Sequence, residues 1–280
     1  MGQLPTVLLV GASGMLGTDL FKALGPVTTW KLITLKRDKL DITNASQTKK
    51  VIEDLKPAVV INSAAYTDVD GAEREKEKAF AVNVQGPRNL IAGFATVGAK
   101  LVHFSTDQVF DGTGQKPWTE ESTPNPLNYY AETKLMGEKP VLEDEEGLVI
   151  RVQWLYGQKK DRFTPLKQKE IFTPFSDQYG SPTWTRNVAD TVRDLIRRDA
   201  SGLFHFAYDD FASWADVFSF VRTELNLKVK LEPKRTEEMK LPARRPKFSV
   251  LSNQKLVNCL GLKGMGSWRG PLREFLRHPV

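Results

Sequence analysis

The feature that most constrains this chain is a short apolar run that ends in glycines. Val7-Leu8-Leu9-Val10 reads as a buried strand, and Gly11-Ala12-Ser13-Gly14-Met15-Leu16-Gly17 follows it with a G-x-x-G-x-x-G spacing. Glycine permits a tight turn and close backbone approach. A helix opening directly behind such a turn presents free N–H groups and a partial positive charge to an anion. A plain glycine-rich turn is the alternative reading. The position between a first strand and a helix favours dinucleotide binding.

The rest of the first half repeats this alternation. Apolar runs recur at Leu32–Leu35, Ala58–Ile61, Lys100–Phe104 and Leu148–Val152. They are continuous rather than alternating, as in strands covered on both faces. Helical spacing occupies Gly14–Leu24, Ser46–Leu55, Glu73–Val97 and Tyr129–Leu142. The second of these has an N-cap candidate at Asn44 or Ser46 and stops before Pro57; the last is interrupted late by Pro140. Strand and helix in turn predict an α/β fold, a doubly wound parallel Rossmann sheet with ligands at the carboxyl ends of its strands. Beyond about residue 153 prolines break the rhythm, although Gly202–Tyr208 reads as another strand and Ser213–Leu225 as an amphipathic helix. The expected division is a dinucleotide-binding domain over 1–152. Residues 153–280 would form mainly a smaller α/β substrate lobe, interleaved with the first.

Composition excludes several classes. Of 280 residues, 40% are hydrophobic, enough for a sizeable core. No stretch nears the ~18 apolar residues of a membrane span. Met1–Pro5 lacks a basic start, so no cleaved signal peptide is expected. Cys259 is the one cysteine, which precludes an internal disulfide or a Cys-based metal cage and suits a reducing, cytoplasmic setting. The net charge of +6 comes from scattered residues, so small polyanionic ligands are favoured over nucleic acid. The acidic run within 141–147 reads as a solvated helix end, and no acidic cluster suggests a metal site.

Candidate chemistry falls at the strand ends. Lys36-Arg37 follows the second strand, where an acid would hold the ribose hydroxyls of NAD. A basic pair there either clamps a 2′-phosphate, implying NADP, or is a solvated loop. Tyr130 and Lys134 are four apart on a predicted helix and share a face. An ammonium beside the phenol would lower the tyrosine pKa from ~10 and ready it for proton transfer to a carbonyl oxygen. Tyr156 and Lys160 repeat the spacing without a long helix around them, which makes that pair coincidental. Ser105-Thr106-Asp107 ends the fourth strand and can place a hydroxyl on the reacting oxygen; a turn role is the plain reading, for Asp107 as well. In Pro242-Ala243-Arg244-Arg245-Pro246 two prolines stiffen a segment whose guanidinium fork suits a diphosphate.

Together these segments make the chain resemble the extended short-chain dehydrogenase/reductase family, and within it the branch of dTDP-4-dehydrorhamnose reductases. The likeness rests on residues 7–17, LDITN at 40–44, VINSAAYTDVDGAE at 60–73 and HFSTDQVFDGTG at 103–114. It continues through PLNYYAETKLMGE at 126–138, DQYGSPTWT at 177–185 and PARRP at 242–246. The resemblance implies NADPH-dependent reduction of the 4-keto group of a nucleotide-linked 6-deoxy sugar, with NADH as the alternative donor. It makes Tyr130 the general acid, Lys134 its partner and a ribose contact, and Thr106 an aid at the keto oxygen. Gly11, Ser13, Gly14, Met15, Leu16 and Gly17 would take the cofactor phosphates, with Asp41 and Ile42 near the adenine. Ala64, Ala65 and Tyr66 would line the cofactor. Asp107, Trp154 and Arg245 would face the sugar nucleotide, Trp154 having core packing as its alternative. Some relatives dimerise, so a homodimer is admitted. The departures, Gln153, Arg162 and Gln108, all lie in the substrate half. Rival functions are another sugar-nucleotide oxidoreductase or epimerase, and a non-catalytic NADP-binding regulatory subunit like the methionine adenosyltransferase beta subunit.

Overall fold

The computed structural model describes residues 4–94, 97–159 and 162–277. The strands are β1 (Thr6–Val10), β2 (Lys31–Leu35), β3 (Val59–Asn62), β4 (Lys100–Thr106) and β5 (Leu148–Val152). Short pieces follow as β6 (Leu155–Tyr156), β7 (Ile171–Phe172), β8 (Tyr179–Gly180) and β9 (Thr183–Trp184), then β10 (Gly202–His205), β11 (Ala212–Ser213) and β12 (Lys230–Leu231). The central six-stranded sheet has the order β10-β5-β4-β3-β1-β2, and every pairing is parallel. The order reverses beside β1, which opens a crevice at the carboxyl ends of β1 and β3. β10, from well beyond residue 152, completes this sheet by pairing with β5.

The helices are α1 (Met15–Leu24), α2 (Ala45–Leu55), α3 (Val69–Ala72), α4 (Lys76–Phe80), α5 (Gly86–Gly93) and α6 (Tyr129–Leu142). They continue as α7 (Thr164–Lys167), α8 (Thr185–Arg197), α9 (Trp214–Glu224), α10 (Gln254–Leu260) and α11 (Arg269–Arg277). Strand side chains alternate between two cores. Val7 and Leu9 pack with Leu20 of α1 and Val188 of α8, whereas Leu8 and Val10 pack with Ile52 of α2 and Leu90 of α5. Burial on both faces explains why the strands read as unbroken apolar runs. Asn44 caps α2 by accepting the Gln47 N–H, and Ser213 with Asp216 forms a capping box on α9. Among the described residues no helix is long and apolar enough to cross a membrane.

Three sequence expectations are corrected. The single helix expected over Glu73–Val97 is broken into α4, a π turn at Ala81–Gln85 and α5. Pro87 supplies no N–H to the preceding turn, and Asn83 is turned inward to bond the Tyr66 backbone and Thr133. Residues 95–96 of that segment lie outside the described residues. The strand expected over Gly202–Tyr208 stops at His205, whose N–H leaves the sheet edge to donate to Glu120 Oε1 at 2.8 Å. Pro140 does not interrupt α6, which runs on to Leu142.

Candidate active site

The glycine loop builds one wall of the site from backbone alone. Gly11 has φ +77°, and a Cβ there would stand 2.6 Å from the Ala64 nitrogen. A Cβ on Gly17 would collide with the Gly11 carbonyl, so α1 lies against the turn with no side chain between. Gly14 caps α1 without any side-chain hydrogen bond, which leaves the N–H groups of the first turn to an outside acceptor. This cradle fits a pyrophosphate.

Asn128 sets the opposite wall. Its side-chain oxygen caps α6 at Ala131 N, while its Nδ2 donates to Gln108 Oε1 at 3.1 Å and to the Arg244 carbonyl at 2.9 Å. One residue thereby joins the helix that carries Tyr130, the turn after β4 and the 242–246 segment. Glu73 steadies the same helix start by accepting the Tyr129 N–H at 2.8 Å.

Between these walls lies a cleft of about 1170 Å³. Ser13, Gly14, Met15, Leu16 and Ala65 line it, with Thr106, Asp107, Tyr130 and Lys134. Trp154 and Arg245 join them from the second half of the chain. Trp154 adopts a left-handed backbone at φ +46° and stacks on Trp214 at 4.0 Å, so it packs and faces the cleft at once. Arg245 is held by an ion pair to Asp70 at 2.9 Å and by a 2.8 Å bond to the Ala243 carbonyl; its neighbour Arg244 is exposed.

Other expected positions are not on that wall. Gly11 and Gly17 lie behind the loop. Lys36 and Arg37 follow β2 in solvent, and Arg37 Nε bonds Asp41 at 3.3 Å. That contact and the Thr43 hydroxyl and N–H outweigh partial burial and hold the Asp41 carboxyl below its usual range. Ile42 is buried with its side chain against Gly86, and Ala64 is half-buried at the glycine turn. Tyr66 turns away into a small cluster with Ala72 and Ala79, where its hydroxyl donates to Glu75 Oε2 at 2.5 Å. Lys160 lies outside the described residues, and its partner Tyr156 is buried in the core.

The electrostatics reverse one expectation. The Tyr130 phenol is not lowered by Lys134; burial pushes it up to about 12, with the neighbouring Thr106 hydroxyl opposing. Asp107 adds negative charge beside it. Burial also brings the Lys134 amine down to about 8, with Glu138 opposing. The lysine nitrogen lies 3.4 Å from His103 Nε2. Asp107 is pushed up to about 6 by burial, although Ser249 and Thr106 donate to it at 2.5 and 3.0 Å.

Sequence reasoning missed Asn62, His103, Asp70 and the placement of Arg162. Arg162 lines the cleft with its guanidinium 5.7 Å from the Trp214 ring centre and its Nε bonded to the Leu155 carbonyl at 2.8 Å. His103 and Asn62 sit on adjacent apolar strands, where a polar residue buried mid-run was the available signal. Among the described residues no group of three or more His, Cys, Asp or Glu could hold a metal ion.

Comparison with known proteins places this geometry. The family model described as RmlD substrate binding domain matches residues 5–279. A dTDP-4-dehydrorhamnose reductase of Streptomyces griseus is 34% identical, over 96% of this chain and 92% of that protein. The crystal structure of a dTDP-4-dehydrorhamnose reductase from Clostridium acetobutylicum superposes with a TM-score of 0.92 at 35% identity, covering 97% of this chain and 98% of that one. The Bacillus anthracis dTDP-4-dehydrorhamnose reductase in complex with NADP gives 0.93 at 32% identity, with 98% and 99% covered.

Proposed function

The chain belongs to the RmlD substrate binding domain family, and on that premise we propose that it is an NADPH-dependent reductase of the 4-keto group of a dTDP-linked 6-deoxy sugar, taking dTDP-4-dehydrorhamnose to dTDP-L-rhamnose. The observation that carries this reading is convergence. Tyr130, Thr106 and Lys134 share one cleft with the free helix start behind the glycine loop.

The bound cofactor would supply hydride. The first turn of α1 would hold its pyrophosphate, with Gly14, Met15 and Leu16 closest, and Lys36 and Arg37 would meet a 2′-phosphate. Tyr130 keeps its proton because its burial disfavours phenolate. As hydride adds to the keto carbon, the alkoxide developing on the keto oxygen is more basic than phenolate and takes that proton. The Thr106 hydroxyl donates to Asp107 and lies beside Tyr130, where it can reorient to the same oxygen. Trp154 and Trp214 offer aromatic faces to the nucleobase, and Arg245 offers a cation to the diphosphate. The division into a cofactor domain over 1–152 and a substrate lobe over 153–280 is part of this reading. So are a homodimer, a cytoplasmic setting supported by the lone Cys259, and the lack of a nucleic-acid partner.

The test is NADPH oxidation against a panel of dTDP-, UDP- and GDP-linked 4-keto sugars. Turnover confined to the dTDP-linked 6-deoxy ketones supports the assignment. Turnover of another nucleotide class would move the substrate. Inactivity towards every ketone, with NADPH still bound, would favour a regulatory subunit.

A further inference from the structure

Directly after β6, the second half of the chain passes against the start of α1. A Cβ on Gly157 would collide with the Thr185 hydroxyl and stand 3.1 Å from Met15 Cγ, so the backbone runs close to the first residue of that helix. The next residue, Gln158, accepts from Lys22 Nζ of α1 at 2.5 Å. Lys159 then reaches the glycine loop. Its Nζ donates to the Ser13 carbonyl at 2.7 Å, and the side chain lines the cleft with Ser13, Gly14, Met15 and Leu16.

That is an unfavourable place for a cation on its own. The unpaired N–H groups of a helix start carry a partial positive charge, which repels an ammonium beside them. Nothing in α1 offsets this. Its first turn holds no acidic residue, and Gly14 caps it without a side chain. Asp19, the one carboxylate of α1, is buried and takes the Thr185 hydroxyl. Among the described residues no ion pair involves Lys159. An ammonium has three donors, and the Ser13 carbonyl takes one of them. An anion seated on the first turn would be attracted by the helix start and by the lysine at once.

We propose that Lys159 is a cofactor-binding residue, whose ammonium grips the pyrophosphate cradled by the first turn of α1. The proposal rests on the reading of this cleft as an NADPH site. A pyrophosphate is doubly charged and has oxygens on more than one side. It accepts from the helix N–H groups on one side and from Lys159 on another, and it screens the two positive groups from each other. Gly157 and Gln158 already hold the backbone here, so binding orders little more than the lysine side chain. The pyrophosphate is common to NADPH and NADH. Lys159 therefore serves both dinucleotides, whereas Lys36 and Arg37 would meet a phosphate that only NADPH carries.

The test reads binding and stability and needs no substrate. Dissociation constants of NADPH and NADH are measured by titration calorimetry for the parent, Lys159→Gln and Lys159→Arg. Lys159→Gln should weaken both dinucleotides by a similar factor, about tenfold, as expected for one charge-assisted hydrogen bond. Lys159→Arg keeps the charge and should recover most of the loss. Urea midpoints separate this role from a structural one. A lysine that only ties its segment to Ser13 would, when removed, lower the midpoint of the cofactor-free protein. Under the proposal that midpoint holds or rises, because a cation leaves the helix start, and only the added stability from NADPH shrinks. Unchanged affinity for both dinucleotides in Lys159→Gln overturns the proposal. So does a loss confined to NADPH, or one matched by a lower midpoint of the cofactor-free protein. If the parent binds neither dinucleotide, the NADPH reading itself fails and the proposal falls with it.

Discussion

Arg151 grips Glu138 through two parallel hydrogen bonds, Nε to Oε1 at 2.9 Å and Nη2 to Oε2 at 2.7 Å, with both side chains almost wholly buried. The pair clamps β5 to α6 one turn beyond Lys134. Arg151 also lies 5.2 Å from the Phe110 ring centre and 3.3 Å from His205 Nε2. His205 bonds the Trp118 carbonyl through Nδ1 at 3.1 Å, so that ring donates there and accepts from the guanidinium. Removing one partner strands a buried charge. Glu138→Gln should therefore destabilise the fold by roughly 3–5 kcal/mol, read as a lower urea midpoint. A loss below 1 kcal/mol would show that the pair is dispensable.

Tyr130→Phe should reduce kcat for the keto sugar by about 10²–10⁴-fold while NADPH affinity, measured by titration calorimetry, is retained. Near-normal turnover would remove Tyr130 from the role of general acid.

The enzyme should prefer NADPH to NADH. Lys36 and Arg37 are exposed behind β2 and free to turn towards a phosphate, Arg37 by leaving its exposed contact with Asp41. A charge-assisted hydrogen bond is worth about 1.5–3 kcal/mol, so at least a tenfold ratio of kcat/KM is expected, and Arg37→Ala should shrink it. Equal kcat/KM values for the two cofactors in the unmodified protein would refute this.

Arg245→Ala should raise KM for the sugar nucleotide far more than KM for NADPH. The guanidinium is already fixed by Asp70 and the Ala243 carbonyl, so little ordering remains to be done on binding. An unchanged sugar-nucleotide KM would assign the diphosphate to other residues, with Arg162 the next to test.

Asp107 gives a pH dependence of stability opposite to that of paired surface carboxylates. Its folded pKa of about 6 lies above the ordinary 3.8, so between these values the folded state holds more protons than the unfolded one. Its contribution to stability therefore declines as pH rises from about 4 to 6 and is flat above. The gap is worth up to about 3 kcal/mol. Asp107→Asn should flatten the urea midpoint across that window, and a profile identical to the parent would disprove the shift.

Sequence alone determined the features that depend on near neighbours along the chain. The G-x-x-G-x-x-G turn, the five apolar strands, the start of α2 near Asn44 or Ser46 and the sharing of one α6 face by Tyr130 and Lys134 all follow from periodicity and turn chemistry, the structure choosing Asn44 as the cap, and α6 spans the expected residues. Tertiary structure decided what depends on neighbours in space. The pairing of β10 with β5 joins segments more than fifty residues apart, and no local pattern encodes such a partner. Tyr66 sits beside the expected cofactor strand end yet turns to Glu75, because a carboxylate from another segment satisfies its hydroxyl. The direction of the Tyr130 shift likewise escaped the four-residue spacing. Spacing places an ammonium nearby, but burial sets the dielectric and outweighs it.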